Sequence, residues 1–440
     1  MQEAARILCL TEGHDPDELI ERNGLPSIPR WILAQRELRK EQKASLLSTP
    51  QPEAYRNAPL TVIGNHEAKT IEQMRSCMSH GNVVAEALCA DGHLGYAQPV
   101  GGVIAYERQI SISGVGFDIA CGNMAVRLNT TVDEIRERLP AILSEINQVI
   151  SFGLGRKNEE RVNADLFDDT EAWRTSAMGR LKDKARAQLG TVGSGNHYVD
   201  VFSEVPATDD ECSQIWIGVH FGSRGLGHAT ATHYLKAAGG RDGMNVPPAI
   251  VDEDSEIGAR YIAGMELAGR YAYAGREWVV DRVRRIIGGE VTKTVHDHHN
   301  FAWRETHFGK ECWVVRKGAT PAFEGQEGFI DGSMGDHAVI VESGKPSAAT
   351  QNLLSSTVHG AGRVLGRRDA LRSLSRGEMI DWLRRENVLL AGGDLDESPM
   401  TYRRLKQVLS EQGNTITINH VLKPLLVVMA GNDTVDPYKN

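Results

Sequence analysis

EIGARYIAGMELAGRYAYAGREWVVDRVRRIIGG, residues 256–289, carries apolar side chains at helical spacing (Ile257, Ile262, Met265, Tyr271, Val279, Val283, Ile287) and stops at Gly288 and Gly289. The spacing predicts one helix over 256–287, the longest in the chain, with glycine as its stop signal. On either side the character changes to short apolar runs separated by glycine turns, which read as strands. They fall at 82–90, 100–106 and 123–128 before the helix, and at 312–315, 329–330 and 339–342 after it. Thr131 and Glu134 have capping-box form ahead of Ile135, Leu139, Ile142, Leu143 and Ile146, so a helix is predicted over 131–151 despite Pro140. Further helices are predicted over 170–189, 367–386 and 402–412. No fixed-period repeat is present. Strands, glycine turns and helices interleave without a clean break, which gives an α+β fold in one large mixed domain, 60–440. Residues 1–59 read as a short helical N-terminal extension and linker, with helical spacing at 15–22 and 31–47 interrupted by Pro26, Pro29, Pro50 and Pro52.

Composition narrows the class of function. With 440 residues, 41% hydrophobic, 24% charged and 6% aromatic, the chain is globular and is neither collagen-like nor largely disordered. A formal charge of −9 argues against coating nucleic acid or an anionic membrane through the global field, so any polyanion is met locally. Two stretches supply local positive charge: 270–317 has ten Lys and Arg against six acidic residues, and 363–385 has seven against three. The Arg282, Arg284 and Arg285 face reads equally as a solvated helix surface or a polyanion groove. No window approaches the ~20 apolar residues of a membrane span. The start lacks the basic flank and apolar core of a signal peptide, so a cytoplasmic location is expected. Cys9, Cys77, Cys89, Cys121, Cys212 and Cys312 have no paired spacing and read as free thiols.

Chemistry-bearing residues recur beside glycines in loops that follow apolar runs, where side chains can converge on a site. GVGFDIACGN puts Asp118 and Cys121 three apart. GSGNHYVDV holds His197 after Asn196, VHFGSRGLGH ends a strand-like run on His220, VHDHHNFAWRE carries His296, His298 and His299, and STVHGAGR carries His359. Taken singly, each histidine reads as a hydrogen-bonded structural residue and each glycine segment as a tight turn. Together, one carboxylate, one thiol and several imidazoles suit a borderline transition metal rather than Mg²⁺ or Ca²⁺, with manganese, zinc, cobalt and iron all open. The glycine density beside the histidines favours phosphate cradling by backbone N–H groups. Arg316, Lys317 and Arg363 sit within or beside these motifs.

In this order the segments resemble the RtcB family of RNA-splicing ligases, from about Val83 to about Val428. The resemblance begins with ADGHLGYAQPVGGVIA (90–105) and runs through the motifs above, VVRKGATPA, GSMGDHAVIV, DESPMTY and LKPLLVV. It implies an α+β ligase of the RtcB type that joins an RNA 3′-phosphate or 2′,3′-cyclic phosphate end to a 5′-hydroxyl end, in RNA repair or tRNA splicing. It also implies GTP and two Mn²⁺ ions, held by Asp118, Cys121, His197, His220 and His299, with His359 the residue that becomes guanylylated. Nucleotide contacts implied in the same way are Asn196, Tyr198, Asp200, Asn300, Ser333, Met334, Gly335, His359, Gly360, Ala361, Gly362, Arg363 and Tyr402. RNA phosphate is expected at Arg224, Arg316 and Lys317. His93, His228, His296, His298 and His337 are left as structural or ligand-supporting.

The chain also departs from the family pattern, and the departures gather where the base would be read. Asp336, His337 and Ala338 follow GSMG where a serine contact is usual, Met429-Ala430-Gly431 replaces a terminal lysine, Asp200 stands for Glu, and Asp331 for Pro. These changes mark a divergent paralogue whose strict preference for GTP is open. Two other readings follow: a metal-dependent RNA-end phosphoesterase without ligation, and a non-catalytic RNA-end-binding protein.

Overall fold

The computed structural model describes residues 51, 53–208 and 213–431. The helical spacing at 15–22 and 31–47, Cys9 and Cys212 lie outside these residues. Two antiparallel-dominated sheets carry the fold. The first has the order β1-β2-β3-β9-β8, built from β1 (Leu60–Val62), β2 (Val83–His93), β3 (Val100–Glu107), β8 (Asn300–His307) and β9 (Lys310–Lys317), with only β1 and β2 parallel. The second has the order β10-β11-β13-β5-β6-β4-β7, from β4 (Gly122–Thr131), β5 (Tyr198–Glu204), β6 (Gln214–His220), β7 (Val291–His298), β10 (Glu327–Ile330), β11 (Ala338–Ser343) and β13 (Ile416–Met429). The short β12 (Leu389–Ala391) lies parallel on β13. This mixed α/β architecture in a single domain agrees with the α+β expectation.

The long helix forms over Glu256–Ile287, as its spacing predicts. The Ser255 side chain accepts the Gly258 N–H at 3.0 Å, a cap of about 1 kcal/mol, and Gly288 at φ +94° ends it. Its last three turns bury Val279, Val283 and Ile287 against Val126, Val199, Ile217 and Val219 of the second sheet. The sheet's own side chains on the opposite face, Phe202, Trp216, Phe329 and Ile340, are buried in a second apolar cluster. A sheet covered on both faces explains why β6 reads as a continuous apolar run rather than an alternating one.

The other predicted helices break. The span 131–151 is three pieces, Val132–Ile135, Arg136–Arg138 and Leu139–Val149, because Pro140 lacks an N–H and opens a new helix at its first turn. The span 170–189 divides at Ser176–Met178, where Ala177 takes φ +52°, and 367–386 divides where Leu374 and Ser375 are extended. The last helix runs Leu405–Gln412, leaving Tyr402 extended and bridged to Arg363. Cys77, Cys89, Cys121 and Cys312 are buried free thiols. Among the described residues no helix is long and apolar enough to cross a membrane.

Candidate active site

Strand register brings the candidate ligands to one end of the second sheet. Tyr198 pairs with His220, His220 pairs with Asn123, and Gly122 pairs with His298. His197 therefore sits just before β5, His220 ends β6, Cys121 immediately precedes β4, and His299 lies where the chain passes from β7 of the second sheet to β8 of the first. Asp118 comes from the loop before Cys121. Gly222 is forced by the same crowding, since a Cβ there would run into the Asp118 carboxylate.

The side chains form two triads that share the thiol: Cys121, His220 and His299, and Asp118, Cys121 and His197, each with ligand atoms within 4.8 Å of one another. Cys121 Sγ lies 3.1 Å from His220 Nε2 and 3.5 Å from His197 Nε2, and His197 Nε2 lies 2.9 Å from Asp118 Oδ2. Burial holds His220 and His299 well below the usual histidine range, so both are neutral with lone pairs available. Burial also works to raise the Asp118 carboxyl, but His197 and Arg224 hold it well below the ordinary carboxylate range. The Cys121 thiol is pushed well up, by burial first and then by Asp118. A buried thiol beside a carboxylate and three imidazoles is a donor set that fits a borderline transition metal. His197 Nδ1 is 3.1 Å from both the Val192 carbonyl and Arg224 Nη1. Coordination through Nε2 requires the proton on Nδ1, where Val192 accepts it.

His359 stands outside both triads, its ring centroid 4.7 Å from that of His299. Its Nδ1 lies 2.6 Å from Oδ2 of Asp91, which is fully buried at the end of β2. The same oxygen accepts the backbone N–H groups of His359 at 3.0 Å and Gly360 at 3.3 Å. An oxygen collecting N–H donors keeps the ring proton on Nδ1 and leaves Nε2 as the nucleophilic lone pair. Gly362, at φ +73°, lets the HGAGR loop pass against the Asp91 backbone, where a Cβ would clash.

A cavity of about 770 Å³ opens over this cluster. It is lined by Asp118, Cys121, His220, His299 and His359, and also by Asn196, Tyr198, Asp200, Asn300, Lys317, Ser333, Met334, Gly360, Ala361, Gly362, Arg363 and Tyr402. His197, Gly335, Arg224 and Arg316 do not line it. Arg224 meets the site from behind, through His197 Nδ1 and through its charge on Asp118. Arg316 is fully buried and its guanidinium is spent on Glu305, Ser356 and the Leu354 carbonyl, so it is not presented to an RNA phosphate. Lys317 keeps an edge in the cavity while donating to the Tyr96 carbonyl, and burial lowers its amine to about 8. Asn300 accepts from the Gly318 N–H at 2.7 Å and donates to the Asp118 carbonyl at 3.4 Å, which fixes the ligand loops. The first basic stretch is largely ion-paired: Arg282 with Glu160, Arg284 and Arg285 with Asp281, and Arg270 with Asp169. That favours the solvated-surface reading of the Arg282 face.

One wall of the cavity carries unmet polar atoms. The hydroxyls of Tyr198 and Ser333 and Oδ1 of Asp200 are buried without a hydrogen-bond partner, beside the apolar Met334, Val427 and Met429. Burial raises the Asp331 carboxyl, on the same wall, to about 7. Buried atoms of this kind cost roughly 1–3 kcal/mol each unless a ligand meets them. Ala338 packs instead with Phe202 and Trp216 and does not reach the cavity, while Asp336 accepts the Leu405 N–H at 3.2 Å.

Three acidic residues that organise the site, Asp91, Asp396 and Glu397, stand in the quoted motifs without any local mark of that role. Asp91 was legible only as part of a longer string, with no local mark of its partnership with His359. Asp396 and Glu397, both buried, hold Arg363 and Arg367, and Glu397 also meets the Tyr402 hydroxyl.

Comparison with known proteins gives the chain a family. The family model described as tRNA-splicing ligase RtcB matches residues 73–430. The chain is 30% identical over 373 residues to the RNA-splicing ligase RtcB of Escherichia coli (strain K12), covering 78% of this chain and 89% of that protein. It is 30% identical over 418 residues to the tRNA-splicing ligase RtcB of Nanoarchaeum equitans (strain Kin4-M), covering 78% and 87%. It is 29% identical over 418 residues to the tRNA-splicing ligase RtcB of Thermococcus kodakarensis (strain ATCC BAA-918 / JCM 12380 / KOD1), covering 78% and 86%.

Proposed function

This chain belongs to the RtcB family, and from that premise we propose that it is a cytoplasmic RNA ligase using GTP and Mn²⁺. It joins RNA 3′-phosphate or 2′,3′-cyclic phosphate ends to 5′-hydroxyl ends through a nucleotide held on His359. The observation that carries the reading is the His359–Asp91 pair, a histidine held by a buried carboxylate beside the ligand triads but outside them. Asp118, Cys121, His197, His220 and His299 would hold the two metal ions. When bound, these supply positive charge to the phosphate oxygens of an in-line displacement.

The side chains then have distinct tasks. His359 Nε2 forms a bond to the α-phosphorus as the bond to the pyrophosphate oxygen breaks, while Nδ1–H stays on Asp91 and stabilises the charge that develops on the ring. A 3′-phosphate oxygen of RNA, released by hydrolysis where the end is a 2′,3′-cyclic phosphate, next attacks the same phosphorus and displaces the ring nitrogen. The 5′-hydroxyl, giving its proton to water, then attacks the RNA 3′-phosphorus and displaces GMP. Tyr198, Asp200 and Ser333 offer their unmet polar atoms to the nucleotide. Arg363, anchored by Glu397 at 3.2 Å and lining the cavity, is the cation offered to the nucleotide phosphates. These unmet atoms favour nucleotide-dependent ligation over phosphoester cleavage alone.

The test is mass spectrometry after incubation with each of the four nucleoside triphosphates and Mn²⁺. An adduct of one nucleoside monophosphate on the peptide containing His359, absent in His359→Ala, is expected. No adduct with any triphosphate under any divalent metal would overturn the reading.

A further inference from the structure

Arg276 is completely buried in the middle of the long helix and has no carboxylate within salt-bridge distance among the described residues. Its guanidinium, always protonated, is spent entirely on the backs of the ligand-bearing segments. Nη1 donates to the Ala120 carbonyl at 3.1 Å, one residue before Cys121, and to the Phe221 carbonyl at 2.6 Å, one residue after His220. Nη2 donates to Nδ1 of His298 at 2.9 Å, one residue before His299, and Nε to Nε2 of His296 at 2.8 Å. The Tyr273 ring packs on both histidines, with centroids 4.2 Å and 4.1 Å away. A buried cation without a carboxylate partner is costly, and a methionine would fill the same helix position more cheaply. The cost has a structural return only if the arrangement of those three segments matters.

We infer that Arg276 is the positioning residue of the metal centre: one guanidinium ties the Cys121, His220 and His299 segments together from behind and sets the triad they form. His296 and His298 are then acceptors for this clamp rather than ligands. Planar geometry is essential, because one flat fork reaches carbonyls on two loops and imidazoles on a strand at once, which the point charge of a lysine cannot do. The inference rests on the reading of Cys121, His220 and His299 as metal ligands.

Titration of the full-length protein with Co²⁺, followed by calorimetry and by the thiolate-to-metal absorption band, tests it without reference to ligation. Arg276→Lys and Arg276→Met are expected to keep the wild-type circular dichroism while weakening Co²⁺ binding by roughly 10- to 100-fold, the usual cost of losing a group that orients ligands. Arg276→Lys should be the milder, and both should show a shifted or weakened thiolate band. If Arg276→Met does not fold, Arg276→Lys decides. Wild-type affinity and an unchanged band in a folded variant would overturn the clamp. Failure of the wild-type protein to bind Co²⁺ would overturn the ligand assignment and the clamp with it.

Discussion

Asp91 Oδ2 lies 2.6 Å from His359 Nδ1, across 268 residues of sequence, and it is the contact that separates a nucleophile from a ligand among these histidines. Asp91→Asn keeps the shape but offers an amide that can donate to Nδ1, moving the ring proton to Nε2. The rate of adduct formation is expected to fall by up to about 10⁴-fold, the loss seen when a buried carboxylate that orients a catalytic histidine is neutralised. Quenched-flow labelling measures it, and metal affinity should stay at the wild-type value. An unchanged labelling rate would remove Asp91 from the mechanism.

Cys121 is common to both triads, so its loss should disturb both at once. Cys121→Ser is expected to weaken divalent metal binding by more than the ~100-fold upper range for a group outside the ligand set. His228→Ala, at a histidine in neither triad, should bind as the wild type does. Calorimetric titration distinguishes them, and equal affinities would point to a metal held elsewhere.

Asp200 and Ser333 present unmet polar atoms to the cavity, and a nucleotide should supply what they lack. Asp200→Asn and Ser333→Ala are each expected to raise the nucleotide concentration for half-maximal labelling about tenfold, or ~1.4 kcal/mol, within the range for an unmade buried hydrogen bond. The labelling rate at saturation should change little. A fall in that rate with no change in half-saturation would place these groups against the reacting phosphates instead.

Glu86 is buried in the first sheet with both carboxyl oxygens unpartnered, and burial raises its carboxyl well above the usual range. The folded state therefore keeps a proton that the unfolded chain gives up near pH 4. Stability from this group is whole below that pH and declines as pH rises toward the folded value. Glu86→Gln should match the wild type in urea unfolding near pH 4 and exceed it near pH 8. Parallel pH profiles for the two proteins would contradict this account.

Local pattern was enough for much of the chain. The helix over Glu256–Ile287 and the main strands follow from apolar spacing and glycine stops, because those signals act within a few residues of one another. The helix expected over 131–151 forms over 132–149 with its capping box, and tightens to a 3-10 turn at Arg136–Arg138, where the missing N–H of Pro140 interrupts the α pattern. Donor type likewise made Asp118, Cys121 and the motif histidines candidates for a transition metal, and the family resemblance singled out His197, His220 and His299 among them. Partnerships between distant segments carried no such mark. Arg316 stands in a motif as a free cation, and only β8 pairing with β9 turns it onto Glu305. Asp91 and Arg276 read as one more acid and one more helix arginine until the sheets close and carry them behind His359 and the ligand loops. Sequence alone determined which groups could do the chemistry, because donor type belongs to the residue. Tertiary structure decided which of them orient the others, because burial and strand register set hydrogen-bond partners over hundreds of residues.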